Sequence, residues 1–159
     1  MERKQIIGVI GSGRATPEGY AAAREIGRLI AEAGAVLVCG GLGGVMEAAS
    51  RGCTETGGLV VGILPGAEAE EANAYVGLPI PTNMGHARNI VIAHTARTLI
   101  AVEGEFGTLS EVAIALKMGR QVIALDHRFS FEGVIVVPTP REAVRLALAG
   151  VRASQPEAR

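Results

Sequence analysis

The chain has 159 residues, 48 % hydrophobic and 19 % charged, with a formal net charge of -1. That length and balance suit one domain that buries roughly 68 to 70 % of the surface its unfolded form exposes, and they exclude a disordered chain. With no basic excess, 3 % aromatic residues and no Trp, the chain has neither the field nor the stacking platforms for nucleic acid, and no field for an anionic membrane.

In chain order, a charged N-terminus leads into a Val/Ile-rich run over 5–10. The run is too short for a secretion signal or a membrane span, so a cytoplasmic protein is expected. It reads as a buried strand, as do 35–39, 59–64, 98–102, 121–125 and 134–137. Between the first two strands, 18–33 carries Tyr20, Ala23, Ile26, Leu29, Ile30 and Ala33 on one helical stripe, and Gly34 stops it. A second helix is predicted over 45–56, a third over 84–96 and a fourth over 109–118, closed by Gly119. A fifth is expected over 140–148, with Thr139 as N-cap, Pro140 in the first position and Glu142 completing a capping box.

The stretch 65–83 breaks this rhythm. It holds Glu68, Glu70 and Glu71, then Pro79 and Pro81, with no sustained period, and reads as an excursion or flap. Residues 151–159 read as a flexible polar tail. The alternation predicts a single α/β domain over 1–150, a Rossmann-like parallel sheet flanked by helices on both faces. Cys39 and Cys53 read as reduced core residues. His86, His94, His127 and the sole aspartate, Asp126, lack ligand spacing, so no metal site is expected.

Right-handed parallel crossovers send every strand-to-helix loop to one edge of the sheet, where helix N-termini converge. Three glycine-rich loops fall there: Gly11-Ser12-Gly13-Arg14, Gly40-Gly41-Leu42-Gly43-Gly44 and Glu103-Gly104-Glu105-Phe106-Gly107-Thr108. Glycine lets backbone N–H groups approach an anion and a helix N-terminus adds partial positive charge, so the loops suit phosphate. Tight strand-to-helix turns also use glycine without binding anything, but three such loops on one edge exceed that need.

Standard phosphate motifs do not fit. Thr16 stands where the dinucleotide fingerprint wants its third glycine, and no acidic residue ends the second strand to take a ribose. The lysines, Lys4 and Lys117, follow no glycine loop, which excludes the Walker motif and disfavours a Schiff-base lysine for pyridoxal phosphate.

The segments GVIGSG, GGLGGVMEAASRG, GGLVVGILPG, MGHARN and EGEFGTLSEVAIALKMG occur in an order that resembles the Lonely Guy family of the lysine-decarboxylase-like superfamily. GGVMEA followed by MGHARN and ALKMG is most similar to the branch that includes the molybdenum cofactor carrier proteins. The resemblance implies a Rossmann-like fold, a homo-oligomer (dimer or tetramer) and Arg88 with Glu111 as the catalytic pair of a phosphoribohydrolase. It implies ligand contacts from Met84, Gly104, Phe106, Gly107 and Thr108, beside those expected of Gly11, Ser12, Gly13, Gly40, Gly41, Gly43 and Gly44.

Chemistry supports those roles. A carboxylate stabilises the charge that builds on ribose as an N-glycosidic bond breaks, and an arginine fork grips phosphate. Competing readings are structural: Thr108 to Glu111 spells a helix-opening capping box, and Arg88 fits a surface salt bridge. Glu103 and Glu105 depart from the family pattern by setting carboxylates beside a phosphate, a repulsion of about 4 kcal/mol at ~4 Å and an effective dielectric near 20. Three readings stay open: a nucleotide-binding hydrolase of nucleoside 5'-monophosphates, a carrier that holds the molybdenum cofactor or another pterin phosphate without cleaving it, and a ligand-sensing scaffold. None requires a resident cofactor.

Overall fold

A computed structural model describes residues 1–125 and 127–150 of the chain, so the expected polar tail lies outside the described residues. The apolar runs form β1 (Ile6–Gly11), β2 (Val36–Cys39), β3 (Val60–Leu64), β5 (Thr98–Val102), β6 (Gln121–Ala124) and β7 (Val134–Val136). With β4 (Leu78–Pro81) they make one all-parallel sheet in the order β4-β3-β2-β1-β5-β6-β7. The central strands are covered on both faces, which is why they read as unbroken Val/Ile/Leu rather than as an alternating pattern.

Helices α1 (Pro17–Glu32), α2 (Val45–Glu55) and α5 (Pro140–Ala149) pack on one face, α3 (Arg88–Thr95) and α4 (Phe106–Lys117) on the other. Two glycines seat the α1–α2 crossing. A Cβ at Gly27 would lie 1.9 Å from the Ala49 carbonyl oxygen, and one at Gly52 would lie 1.9 Å from that of Arg24. The helix backbones therefore touch where ordinary side chains would hold them apart. Cys39 and Cys53 are free and buried in the core on this face, and burial pushes both thiols up, that of Cys53 to about 11.

The structure corrects four expectations. Part of the 65–83 excursion is β4, whose Leu78 and Ile80 register with Val61 and Ile63. Pro79 and Pro81 hid it, because proline lacks the ladder donor and a strand carrying it survives only at a sheet edge, where β4 lies. The rest is anchored too: Asn73 donates from its backbone N to the Gly41 carbonyl at 2.8 Å and from Nδ2 to that of Leu42 at 2.9 Å. The third helix begins at Arg88 after a 3-10 turn over Gly85–Ala87.

The third correction bears on the site. Helix α4 begins at Phe106, with Glu105 as N-cap, so Thr108 and Glu111 lie inside the helix and the capping box they spell does not open it. At α5 the expected cap forms: the Thr139 side chain accepts from the Glu142 backbone N. The Glu142 carboxylate, however, pairs with Arg145 instead of reaching back to complete the box.

Candidate functional site

The sheet order reverses between β1 and β5, and in doubly wound sheets the crevice beyond the strand ends at that point is where ligands sit. Here it is a cavity of 190 Å³. The end of β1 and the loop after it (Val9 to Gly13) form one wall, Gly40 and Met46 the next. His86, Arg88 and Asn89 come from the start of α3, and Glu105, Gly107, Thr108 and Glu111 from the start of α4.

Local structure explains the placement. The Ser12 hydroxyl donates to the Arg14 carbonyl at 2.7 Å and accepts from the Arg14 N, folding the first loop back, and Ser12 in turn accepts from the Val45 N at 2.9 Å. The first two glycine loops are thus bonded together, and Gly44 packs against the backbone of Ser12 and Gly13. In α4 the first intrahelical bond of the loop register is Leu109 N to Glu105 O, so the amides of Phe106, Gly107 and Thr108 precede it and are left to other acceptors.

Space separates glycines the protein needs from those it does not. A Cβ at Gly11 would strike the Val102 carbonyl, one at Gly40 the Arg88 guanidinium at 2.6 Å, one at Gly41 the Leu64 side chain and one at Gly44 the Ser12 carbonyl. Close approach of neighbouring backbone and side chains accounts for these, with a left-handed backbone besides at Gly41 and Gly44. At Gly13 and Gly107, both on the cavity wall, an added Cβ would meet nothing within 4 Å, so the protein's own packing gives no reason for glycine there.

Arg88 is only 8 % exposed and is held without a carboxylate partner. One terminal nitrogen donates to the Asn89 side-chain oxygen and the other makes a long 3.4 Å bond to the Gly40 carbonyl, while Nε has no partner. Asn89 donates from Nδ2 to the Ser110 hydroxyl at 3.4 Å, tying α3 to α4. Glu111 is 7 % exposed. Burial pushes its carboxyl from the ordinary 4.5 up to about 7, against the pull of Arg88. Burial likewise lowers the Arg88 pKa, and the Glu111 charge supports the guanidinium without a hydrogen bond between them. This is no surface salt bridge. It is a desolvated cation beside a carboxyl that is about half protonated near neutrality, an arrangement suited to meeting an anion or moving a proton.

The sign of that shift gives a test. With its folded pKa raised, Glu111 holds its proton more tightly in the native state, so stability falls as pH rises from about 4.5 to about 7 and is flat above. A rise from 4.5 to about 7 bounds the cost at about 3 kcal/mol, of which water in the open cavity leaves on the order of 1–2 kcal/mol. Glu111→Gln is therefore expected to be more stable than the parent at pH 8 by that amount, with the difference shrinking toward pH 4.5. Urea midpoints at the two pH values measure it, and equal pH slopes for both proteins would contradict it.

Of the site residues expected from sequence, the cavity brings together Gly11, Ser12, Gly13, Gly40, Gly107, Thr108, Arg88 and Glu111. Gly41, Gly43 and Gly44 shape the second loop but do not line it. Met84 is exposed outside it, and Gly104 and Phe106 belong to a neighbouring hollow. Met46, His86 and Asn89 join the wall without having been expected, and for Asn89 the one available signal was its position next to Arg88.

The two departing glutamates separate. Glu103, at φ 51, turns to the start of α1, where its carboxylate accepts from the Thr16 N at 3.0 Å and from the Thr16 hydroxyl. Glu105 stays on the cavity wall but is exposed, where water cuts the repulsion on a phosphate at ~4 Å to about 1 kcal/mol. Among the described residues, no group of three or more His, Cys, Asp or Glu is placed to hold a metal ion, and no helix is long and apolar enough to cross a membrane.

A doubly wound parallel sheet with a cavity at its switch point, walled by glycine loops and a buried arginine, defines a Rossmann-like α/β protein. More narrowly, the chain belongs to the SLOG cluster4 family, which it matches over residues 4–149. It is 49 % identical over 142 residues, 89 % of this chain and 93 % of the relative, to an uncharacterized protein of Archaeoglobus fulgidus.

Among solved structures it is similar to the molybdenum cofactor binding protein from the phototrophic bacterium Rippkaea orientalis. The likeness has 37 % identity and a TM-score of 0.86 and covers 94 % of this chain and 98 % of that one. It is also similar to the molybdenum cofactor carrier protein from Chlamydomonas reinhardtii, with 32 % identity and a TM-score of 0.80 over 92 % and 98 % of the two chains. DNA processing protein A from Streptococcus pneumoniae, at 22 % identity and a TM-score of 0.73 over 89 % of this chain and 61 % of that one, shares the fold alone.

Proposed function

We propose that the switch-point cavity holds the phosphate end of a pterin phosphate and that the protein carries the molybdenum cofactor as cargo. The observation that carries the anion is the pair Gly13 and Gly107, two cavity glycines that packing does not demand. They leave the room that phosphate oxygens need to reach the flanking amides, and the α4 N-terminus adds its partial positive charge. Arg88 supports the same reading, since its unpartnered Nε beside two donating terminal nitrogens leaves capacity for a phosphate oxygen. Near neutrality the protonated share of Glu111 donates a hydrogen bond instead of repelling the ligand. What selects a pterin over other phosphates is the near-full-length likeness to two proteins named for the molybdenum cofactor.

Under this proposal the protein acts in the cytoplasm as a homo-oligomer, the chain over 1–150 works as one domain, and nucleic acid is not its ligand. A second reading, hydrolysis of nucleoside 5'-monophosphates, is favoured by one feature: a carboxyl raised to about 7 facing a buried arginine suits general acid–base work.

One experiment separates the two. The purified protein is mixed anaerobically with molybdenum cofactor released from a molybdoenzyme, desalted, and assayed for retained molybdenum and pterin; in parallel it is incubated with AMP. The carrier reading expects near-stoichiometric retention, displaced by excess inorganic phosphate, and no free adenine. Adenine with ribose 5-phosphate and no retained pterin would replace it with the hydrolase.

A further inference from the structure

Beside the phosphate cavity lies a second hollow of 290 Å³, and the two share Glu105 as a common wall. All three phenylalanines of the chain converge on it: Phe106 from the first position of α4, and Phe129 and Phe131 from the segment after β6. Phe129 is buried and forms the floor. Gly104, at φ 154, lets it close in, because a Cβ there would meet the Phe129 ring at 2.7 Å. Phe106 is 88 % exposed and Phe131 is also exposed, so two ring faces stand open to water at the rim. Neither ring contributes to the core, and a chain this poor in aromatics has no structural reason to gather them at one exposed place.

We infer that this hollow is the subsite for the planar fused ring of the same ligand, with Phe106 as the stacking residue that sets specificity for a heteroaromatic ring system. The inference rests on the reading that the neighbouring cavity takes the phosphate. Size supports it. At 190 Å³ the phosphate cavity falls well below the ~300 Å³ at which ligand pockets usually begin, so a ligand of ordinary size extends beyond it, and the 290 Å³ hollow shares a wall with it. Chemistry supports it as well, since aromatic side chains stack on any π-face, while Glu105 on the rim offers an acceptor to the ring edge. A ligand with phosphate at one end and a fused heterocycle at the other spans both.

The test uses three probes on the full chain: inorganic phosphate, neopterin, and neopterin 3'-phosphate, whose ring fluorescence reports stacking. Phe106 is exposed, so its variants keep the fold. Phe106→Ala is expected to weaken neopterin 3'-phosphate about tenfold and to leave inorganic phosphate unchanged, with Phe131→Ala moving the same way. Phe106→Leu, which keeps apolar bulk but loses the ring face, is expected to stay weakened.

Equal affinity of the parent and Phe106→Ala for neopterin 3'-phosphate would overturn the inference and leave the phosphate site standing. So would full affinity in Phe106→Leu. If the parent binds no inorganic phosphate, the phosphate reading fails on its own, and free neopterin then decides the ring subsite. A rise in the fluorescence anisotropy of free neopterin that is lost in Phe106→Ala upholds it, and no rise with the parent overturns it.

Discussion

Arg88→Met is expected to lower affinity for a phosphate-bearing ligand by at least about 100-fold, or ~2.7 kcal/mol, without lowering the stability of the free protein. The loss follows from charge: hydrogen bonds from a guanidinium to phosphate are about twice as strong as neutral ones, and Met offers none. The stability half is less intuitive. Arg88 is desolvated, has one nitrogen unpartnered and lacks an ion pair, so in the free protein it is a cost that an apolar side chain of similar length removes. A variant with unchanged affinity would place the anion elsewhere. One that unfolds would make Arg88 a structural residue.

Gly27→Ala separates packing from propensity by sign. Alanine in place of glycine inside a helix ordinarily gains about 1 kcal/mol. Here the new methyl would lie 1.9 Å from the Ala49 carbonyl oxygen and 2.9 Å from the Cys53 N, against backbone that cannot rotate away. Overpacking of that kind reaches about 3 kcal/mol or more, so the net expectation is a loss of about 2–3 kcal/mol and a Tm lower by roughly 4–12 °C. Gly107→Ala is the control: its methyl enters open space within α4, so stability is expected to hold or rise while phosphate affinity falls. Calorimetry on both variants decides it, and a stabilised Gly27→Ala would mean the α1–α2 contact is looser than described.

What the sequence made legible follows from what local chemistry determines. The interior strands were readable because burial on both faces leaves no alternative to Val, Ile and Leu, and α1 was readable because its apolar stripe repeats over four turns. Strand β4 escaped notice because an edge needs only one side of the ladder, which frees it to carry Pro79 and Pro81. The start of α4 was misplaced because Thr108 and Glu111 sit at capping-box spacing, while the residue that caps the helix, Glu105, makes no side-chain capping bond.

At the site, Arg88 and Glu111 came only through the resemblance to the Lonely Guy family, whereas the glycine loops could be found because topology sends them to one edge. Which glycines face empty space could not, since Gly13 and Gly44 look alike until the second loop is folded against the first. Nor could the sequence tell Glu103 from Glu105. A left-handed backbone at position 103 swings the first to Thr16 and leaves the second at the rim. Met46 and His86 reach the wall through tertiary contact alone.

Under the proposed function, amides of two glycine loops and one buried arginine grip a single phosphate. Titrating the ¹⁵N-labelled protein with inorganic phosphate and following its backbone amides by NMR tests this most directly. The largest shifts are expected on Ser12, Gly13, Gly107 and Thr108, saturating together with one dissociation constant and disappearing in Arg88→Met. Shifts that leave those four amides in place and cluster on another face, or that persist undiminished without the arginine, would contradict it.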